Sequence, residues 1–191
     1  MQQNRLITEY KKLFHLVQDG TVFCAFDTET TGLYSEKDFI IEIGAVKFDK
    51  TGVLGTFDSL VNPNIALPPM CTQLSHITDD MVKEEPLVKD VLPAFLRFAG
   101  DSVLVAHNAC FDLNFVNKEL ERSSMPYLKN KAIDTLALSR WAYPLNEKWK
   151  LQYLAEQFKI EVRAAHRADD DARVCMEVFL RCIADTMSVQ K

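Results

Sequence analysis

Asp27 and Glu29 stand two residues apart at the end of a β-rich run, just before Thr30-Thr31-Gly32. Side chains alternate along a strand, so both carboxylates project from one face about 7 Å apart, within reach of one divalent ion. Asp112 follows the apolar run Val103-Leu104-Val105-Ala106 and sits in the first turn of a helix, where an acid is favoured. The carboxyl ends of central strands are also where α/β sheets build sites. A third acidic stretch, Asp169-Asp170-Asp171, opens the last helical segment. At roughly 100° per residue, Ala168, Ala172, Cys175, Val178, Phe179, Cys182 and Ile183 form one apolar face, and Asp171 falls within it, between Val178 and Cys182. Asp170 points the opposite way, flanked by Arg173 and Arg181, and is expected to be solvated; Asp169 is expected at the rim or as a cap. An acid on a core-facing stripe is costly unless it is paired or binds a cation, and nothing adjacent in sequence pairs with Asp171.

Asp27, Glu29, Asp112 and Asp171, with His166 just ahead of the last helix, therefore converge on one expected centre. Oxygen-only ligands select hard ions, Mg²⁺ or Mn²⁺, over zinc. Four crowded carboxylates repel one another without a cation, and two ions about 3.5 to 4 Å apart serve in-line displacement at phosphorus.

The elements that must hold these groups are legible from periodicity. Leu6, Tyr10, Leu13, Phe14 and Val17 predict an amphipathic helix over residues 1–18, an accessory cover (1–20) ahead of a single catalytic domain (21–191). Short β-rich runs follow at Thr21–Glu29, Phe39–Phe48 and Thr56–Val61, with Gly52 and Gly55 between the last two, which reads as an antiparallel meander. Pro63, Pro68 and Pro69 predict irregular chain, and a helix is expected over Leu87–Phe98. Beyond it come a buried strand at Ser102–His107, a helix at Phe111–Glu121, a short strand at Ala132–Thr135, and helices at Thr135–Trp141, Leu151–Phe158 and Ala168–Ala184. Strands first, then strands alternating with helices, predict an α/β fold: a mixed β-sheet, antiparallel meander plus parallel strands, flanked by helices. Asp134 reads as the N-cap of the helix that begins at Thr135, and Glu42, inside Ile41-Glu42-Ile43, as structural in preference to a place near the site.

Asp27-Thr28-Glu29-Thr30-Thr31-Gly32, then Ala106-His107-Asn108-Ala109 with Phe111-Asp112, then His166-Arg167-Ala168 with Asp171-Ala172, resemble in order the three motifs of the DEDD exonuclease superfamily. The histidine five residues before the last aspartate is similar to the histidine subfamily, which includes the epsilon proofreading subunits of bacterial DNA polymerase III. The resemblance implies a ribonuclease H-like fold and a metal-dependent 3′–5′ exonuclease that releases nucleoside monophosphates from DNA or RNA. It implies that Asp27 bridges two ions, that Glu29 and Asp171 hold the ion that activates water, that Asp112 holds the second, and that His166 is the base. An imidazole titrating near neutrality suits that role. The resemblance also places the backbone of Thr30, Thr31 and Gly32 around the terminal nucleotide, Leu33 against its base, and Asn108 and Phe111 in the same pocket. Ser75 and His76 occupy a segment in which the family usually carries glycine at the His76 position, so a side chain there is expected to alter the backbone or to enter the nucleotide site.

Composition bounds the rest. The 191 residues, 48% hydrophobic and 26% charged, suffice for one substantial core. Five cysteines without a Cys-x-x-Cys fit neither a disulfide framework nor a zinc knuckle. No apolar run is long enough to span a membrane, and the N-terminal stretch lacks a signal-peptide core, so the expected location is cytoplasmic. The net charge of −5 argues against a nucleic-acid partner until the four ligand acids are set aside, which leaves the remainder near neutral. With no dense basic stripe, binding of single-stranded 3′ ends is expected to be weak and poorly processive unless a DNA polymerase or another partner tethers the strand. The sequence ends at Lys191, so a C-terminal polymerase-binding extension is expected to be absent or very short. DNA is favoured over RNA. The competing readings are an exoribonuclease trimming RNA ends and a non-catalytic nucleic-acid or polymerase-binding module.

Overall fold

The computed structural model describes residues 5–188. Five strands form one mixed sheet: β1 (Phe23–Thr30), β2 (Ile40–Asp49), β3 (Gly52–Leu60), β4 (Val103–Ala106) and β5 (Ala132–Asp134), in the order β3-β2-β1-β4-β5. The first three pair antiparallel and the last two join parallel to β1, the predicted combination of meander and crossover strands.

Alternation along β1 and β2 sorts their side chains onto two faces. Phe23 and Ala25 of β1, with Val46 and Phe48 of β2, face α6 (Thr135–Ala142), α7 (Leu151–Phe158) and the long α8 (Ala168–Ser188). Phe23, Phe48 and Phe179 pack ring against ring at 5.1 to 6.0 Å between centroids and pin α8 to the sheet. Burying each such ring contributes about 1.5–3 kcal/mol. Cys24, Phe26, Ile43 and Ala45 face α4 (Val88–Ala99) and α5 (Ala109–Arg122) on the other side. Asp27 and Glu29 continue the α8 face beyond its apolar part, so the same period that builds the core delivers two acids to its edge.

Four expectations need correction. The N-terminal helix is confined to a 3-10 turn at Tyr10–Lys12 and α1 (Leu13–Gln18), because Leu6 instead makes a parallel bridge with Ala132 at the sheet edge; residues 1–4 lie outside the described residues. Gly52 and Gly55 lie inside β3 and not before it. The turn closes earlier, where the Asp49 carboxylate accepts from the Thr51 amide and hydroxyl at 2.7 and 2.6 Å, so pairing resumes at Gly52. The proline-rich stretch is not all irregular: Pro69 occupies the first turn of α2 (Pro69–Ser75), where a missing N–H costs nothing, and the short α3 (Asp79–Val82) follows.

Asp170 is the fourth. It is buried, because residues 163 and 164 fold back over its side of α8: the amides of Arg163 and Ala164 donate to Oδ2 at 2.6 and 2.8 Å, and Arg173 donates to Oδ1. Burial alone would raise this carboxyl, but the Ala164 amide, Arg173 and the Arg163 amide together bring it below its ordinary value. The stabilisation it gives is present at neutral pH and fades as the pH falls below about 4. Asp170→Ala, which leaves two amides without their acceptor and takes one acceptor from Arg173, still held by Glu177 and the Glu161 carbonyl, is expected to lower stability by about 1–3 kcal/mol in urea unfolding at pH 7. A loss within experimental error would show that the loop does not hold α8.

Candidate active site

Three elements and one loop meet at the carboxyl ends of β1 and β4. Asp27 and Glu29 arrive on β1. Asp112 arrives in the first turn of α5, Asp171 in the first turn of α8, and His166 from the loop before α8. Glu29, His166 and Asp171 each present one ligand atom, all within 4.8 Å of one another. Asp27 and Asp112 lie alongside: the charges of Asp112 and Asp171 both reach Asp27.

The electrostatics are those of a site short of positive charge. Burial, followed by repulsion from Asp112, Asp171, Glu29 and Glu42, drives the Asp27 carboxyl well above the usual range. Burial, then Asp171, Glu42 and Asp112, push Glu29 up to about 8, with Arg167 pulling the other way. Burial raises Asp112 to about 7 against the opposing hydrogen bonds from Thr28, and burial raises Asp171 despite Gln152 and His166. A bound cation would offset such a set, since like charges at close range cannot all ionise unaided.

Local contacts aim these groups. Thr28 faces α5, and its amide and hydroxyl both donate to Asp112 Oδ1, at 3.0 and 2.7 Å. Gln152 Nε2, at the start of α7, donates to Asp171 Oδ1 at 2.7 Å, and the His166 amide donates to Oδ2 at 3.2 Å. Gln152 is thus the partner of Asp171 that adjacent sequence does not supply. Thr28 lies inside the first motif, but its role depends on α5; neither residue carries a signal in its own segment. His166 itself is exposed and takes the left-handed conformation, φ 62°.

The expected substrate residues fall in three places. Thr30, Thr31, Gly32 and Leu33 form the turn that leaves β1. The Thr30 hydroxyl donates to the Gly32 carbonyl at 2.6 Å, Thr31 Oγ1 accepts from the Phe39 amide at 3.0 Å, and Leu33 stands 75% exposed. A β-carbon at Gly32 would fall 2.5 Å from the Asp38 carboxylate, so a side chain there would displace Asp38. His76, exposed, caps α2 in the left-handed conformation, φ 59°, the geometry glycine adopts most easily. Ser75 instead turns inward, its hydroxyl donating to the Cys71 carbonyl and accepting from the Ile77 amide. Asn108 is left-handed at the head of α5, its amide donating to Asp134 Oδ1 at 3.0 Å, while the Phe111 ring leans on Phe115. Asp134 caps α6, as expected of it.

Comparison with known proteins places this geometry. The family model described as "Exonuclease" (RNase_T) matches residues 24–179. The DNA polymerase III subunit epsilon of Treponema pallidum (strain Nichols) is 48% identical over 170 residues, 88% of this chain and 79% of that protein. The PolC-type DNA polymerase III of Caldanaerobacter subterraneus subsp. tengcongensis is 43% identical over 161 residues, which span 84% of this chain but only 11% of that much longer protein. Among solved structures, exonuclease X in complex with 5′ overhanging duplex DNA superposes with a TM-score of 0.68 at 28% identity, covering 86% of this chain and 92% of that one. The nuclease domain of 3′hExo, described as a DEDDh family member bound to rAMP, has a TM-score of 0.75 at 22% identity, covering 87% and 93%, and shares the fold.

Proposed function

This chain belongs to the exonuclease family and is a 3′–5′ exonuclease, and from that premise we propose that it shortens single-stranded DNA from the 3′ end, releasing nucleoside monophosphates with the help of two divalent ions, Mg²⁺ or Mn²⁺. The observation that supports this most is the convergence of Asp27, Glu29, Asp112 and Asp171, all with raised carboxyls, beside one imidazole.

The donor set fits hard cations: carboxylate oxygens, buried on Asp112 and Asp171 and half-buried on Asp27 and Glu29, mutually repelling and with no thiolate among them. In this reading Asp27, Glu29, Asp112 and Asp171 would hold the ions, Asp27 contributing to both, Glu29 and Asp171 to one and Asp112 to the other. When bound, divalent ions supply Lewis-acid stabilisation of the charge that develops on the phosphate oxygens. His166, on its exposed loop, takes the proton from the attacking water. The backbone of Thr30, Thr31 and Gly32 holds the terminal nucleotide and Leu33 meets its base. Asn108, Phe111, Ser75 and His76 complete the pocket from α5 and α2, with Ser75 and Phe111 acting through packing.

Two curated relatives are DNA polymerase III proteins, which favours DNA as substrate and a DNA polymerase as the partner that tethers it in the cytoplasm. Among the described residues no helix is long and apolar enough to cross a membrane. Matched DNA and RNA strands, labelled at either end and incubated with Mg²⁺, Mn²⁺ or a chelator, test the proposal. The expected result is ion-dependent mononucleotide release from the 3′ end, faster on DNA. Faster release from RNA would establish the RNA-trimming reading instead, and equal preference for the four terminal nucleotides in wild type and His76→Gly would remove His76 from the pocket.

A further inference from the structure

Glu42 lies near the start of β2, fully buried, on the face that carries Asp27 and Glu29. It stands directly opposite Glu29 in the β1–β2 register, and Gly44 stands opposite Asp27. A second carboxylate beside Glu29 would add to the repulsion, yet Glu42 is not free to join the site. Its Oε1 accepts from Arg167 Nε at 3.0 Å and from Arg167 Nη2, and its Oε2 accepts from the Ala168 amide at 2.8 Å. Two residues along, Gly44 lets the start of α8 lie against the sheet: a β-carbon built there would fall inside the backbone of Ala168 and Asp169. Strand β2 thus touches α8 at two consecutive positions of one face, once by a forked ion pair and once by close backbone approach. Both contacts fall within three residues after His166. His166 is held on its other side by its own amide, which donates to Asp171.

We propose that Glu42 and Gly44 are positioning residues for His166, acting through Arg167 and Ala168 to set where the imidazole stands relative to Glu29 and Asp171. This rests on the reading of His166 as the base. The physical ground is that His166 sits on an exposed loop in a left-handed conformation, its imidazole facing the carboxylates of Glu29 and Asp171. The neighbouring residue must then supply its placement, and a planar guanidinium held bidentate in a buried site has far less freedom than a loop side chain. Misplacement by about 1 Å at a reacting group can cost about 100-fold in rate.

The test is a cycle of Arg167→Met and His166→Ala, singly and together, with Arg167→Lys as the conservative variant, assayed on a short single-stranded DNA. Arg167→Met is expected to lower kcat by about 10- to 100-fold with KM within about twofold. Arg167→Lys, which keeps the charge but loses the fork, is expected to recover part of that loss. In the His166→Ala background Arg167→Met is expected to cost less than about twofold more, because a residue that acts through His166 has nothing left to position. In metal-free protein, Arg167→Met is expected to shift and broaden the imidazole NMR signals of His166, identified by their absence in His166→Ala. Equal losses in both backgrounds, or unchanged imidazole signals, would overturn the proposal. Gly44→Ala is expected to reduce kcat in the same way where it folds, and the Arg167 variants carry the test where it does not. Wild-type protein inactive on every strand would reject the functional reading, whereas the imidazole signals would still report on the positioning.

Discussion

Asp27→Asn is expected to lower ion-dependent nucleotide release by about 10²- to 10³-fold or more and at the same time to raise the melting temperature of the metal-free protein. The two effects have one cause. Asp27 is the acid most hemmed in by others, with Asp112, Asp171, Glu29 and Glu42 all acting on it after burial itself. Asparagine keeps its shape and takes away the charge, so the ion-free fold is relieved of repulsion that the wild type must absorb. For a domain of this size each kcal/mol recovered appears as about 2–4 °C in the melting temperature. The same change removes the ligand proposed to serve both ions, and the loss of one preorganised charge at a reacting phosphate is of that catalytic size. Asp171→Asn is expected to behave alike in activity, with a smaller gain in stability because Gln152 and the His166 amide already partner its carboxylate. Differential scanning calorimetry and a fluorescent 3′-end assay check both. Full activity in either variant would overturn the metal assignment, and an unchanged or lower melting temperature for Asp27→Asn would mean that the cluster is not strained without cations.

The second large effect is on stability against pH. Glu29 at about 8 and Asp112 at about 7 lie above the values of an unfolded chain, near 4.5 and 3.8, so between those limits the folded protein binds more protons than the unfolded one. Stability of the metal-free protein from this source is therefore full near pH 4 and declines as the pH rises towards 8. His107 opposes it: burial lowers its imidazole, and its contribution is lost as the pH falls below about 6.5. Because His107 acts equally with and without ions, the clean observable is the gap between ion-loaded and ion-free midpoints. That gap is expected to widen from pH 5.5 to pH 8 by about 5 °C or more, since ions bind the deprotonated carboxylates and protons compete with them. Thermal scans with Mn²⁺ and with a chelator across that range decide it. A gap constant with pH would mean that the raised carboxyls are not the ion ligands.

Much of this site is legible in the chain, and the reason is periodicity. Alternation along one strand puts Asp27 and Glu29 together. The 3.6-residue period puts Asp171 on the buried stripe of α8, and a run of apolar residues marks β4 ahead of Asp112. The same logic misjudges Asp170, because a helical period reports only the face of its own helix and not the loop that folds back to cover the opposite one. It also reads Glu42 no further than as structural, although the ion pair to Arg167 spans 125 positions of chain.

By itself, then, the sequence determined which acids stand out, which elements bear them and which face of its own element Asp27, Glu29 and Asp171 each occupy, since these follow from local propensity and repeat spacing. Only the tertiary structure decided what each group meets: Thr28 under Asp112, Gln152 on Asp171, the fork of Arg167 on Glu42 and the bare backbone of Gly44 beneath Ala168. Those partners come from other segments of the chain, α8 docked by the packing of Phe23, Phe48 and Phe179 and α5 by that of Phe26, Leu113, Phe115 and Val116 on the opposite face, and the spacing of residues within one element holds no record of a neighbour on another.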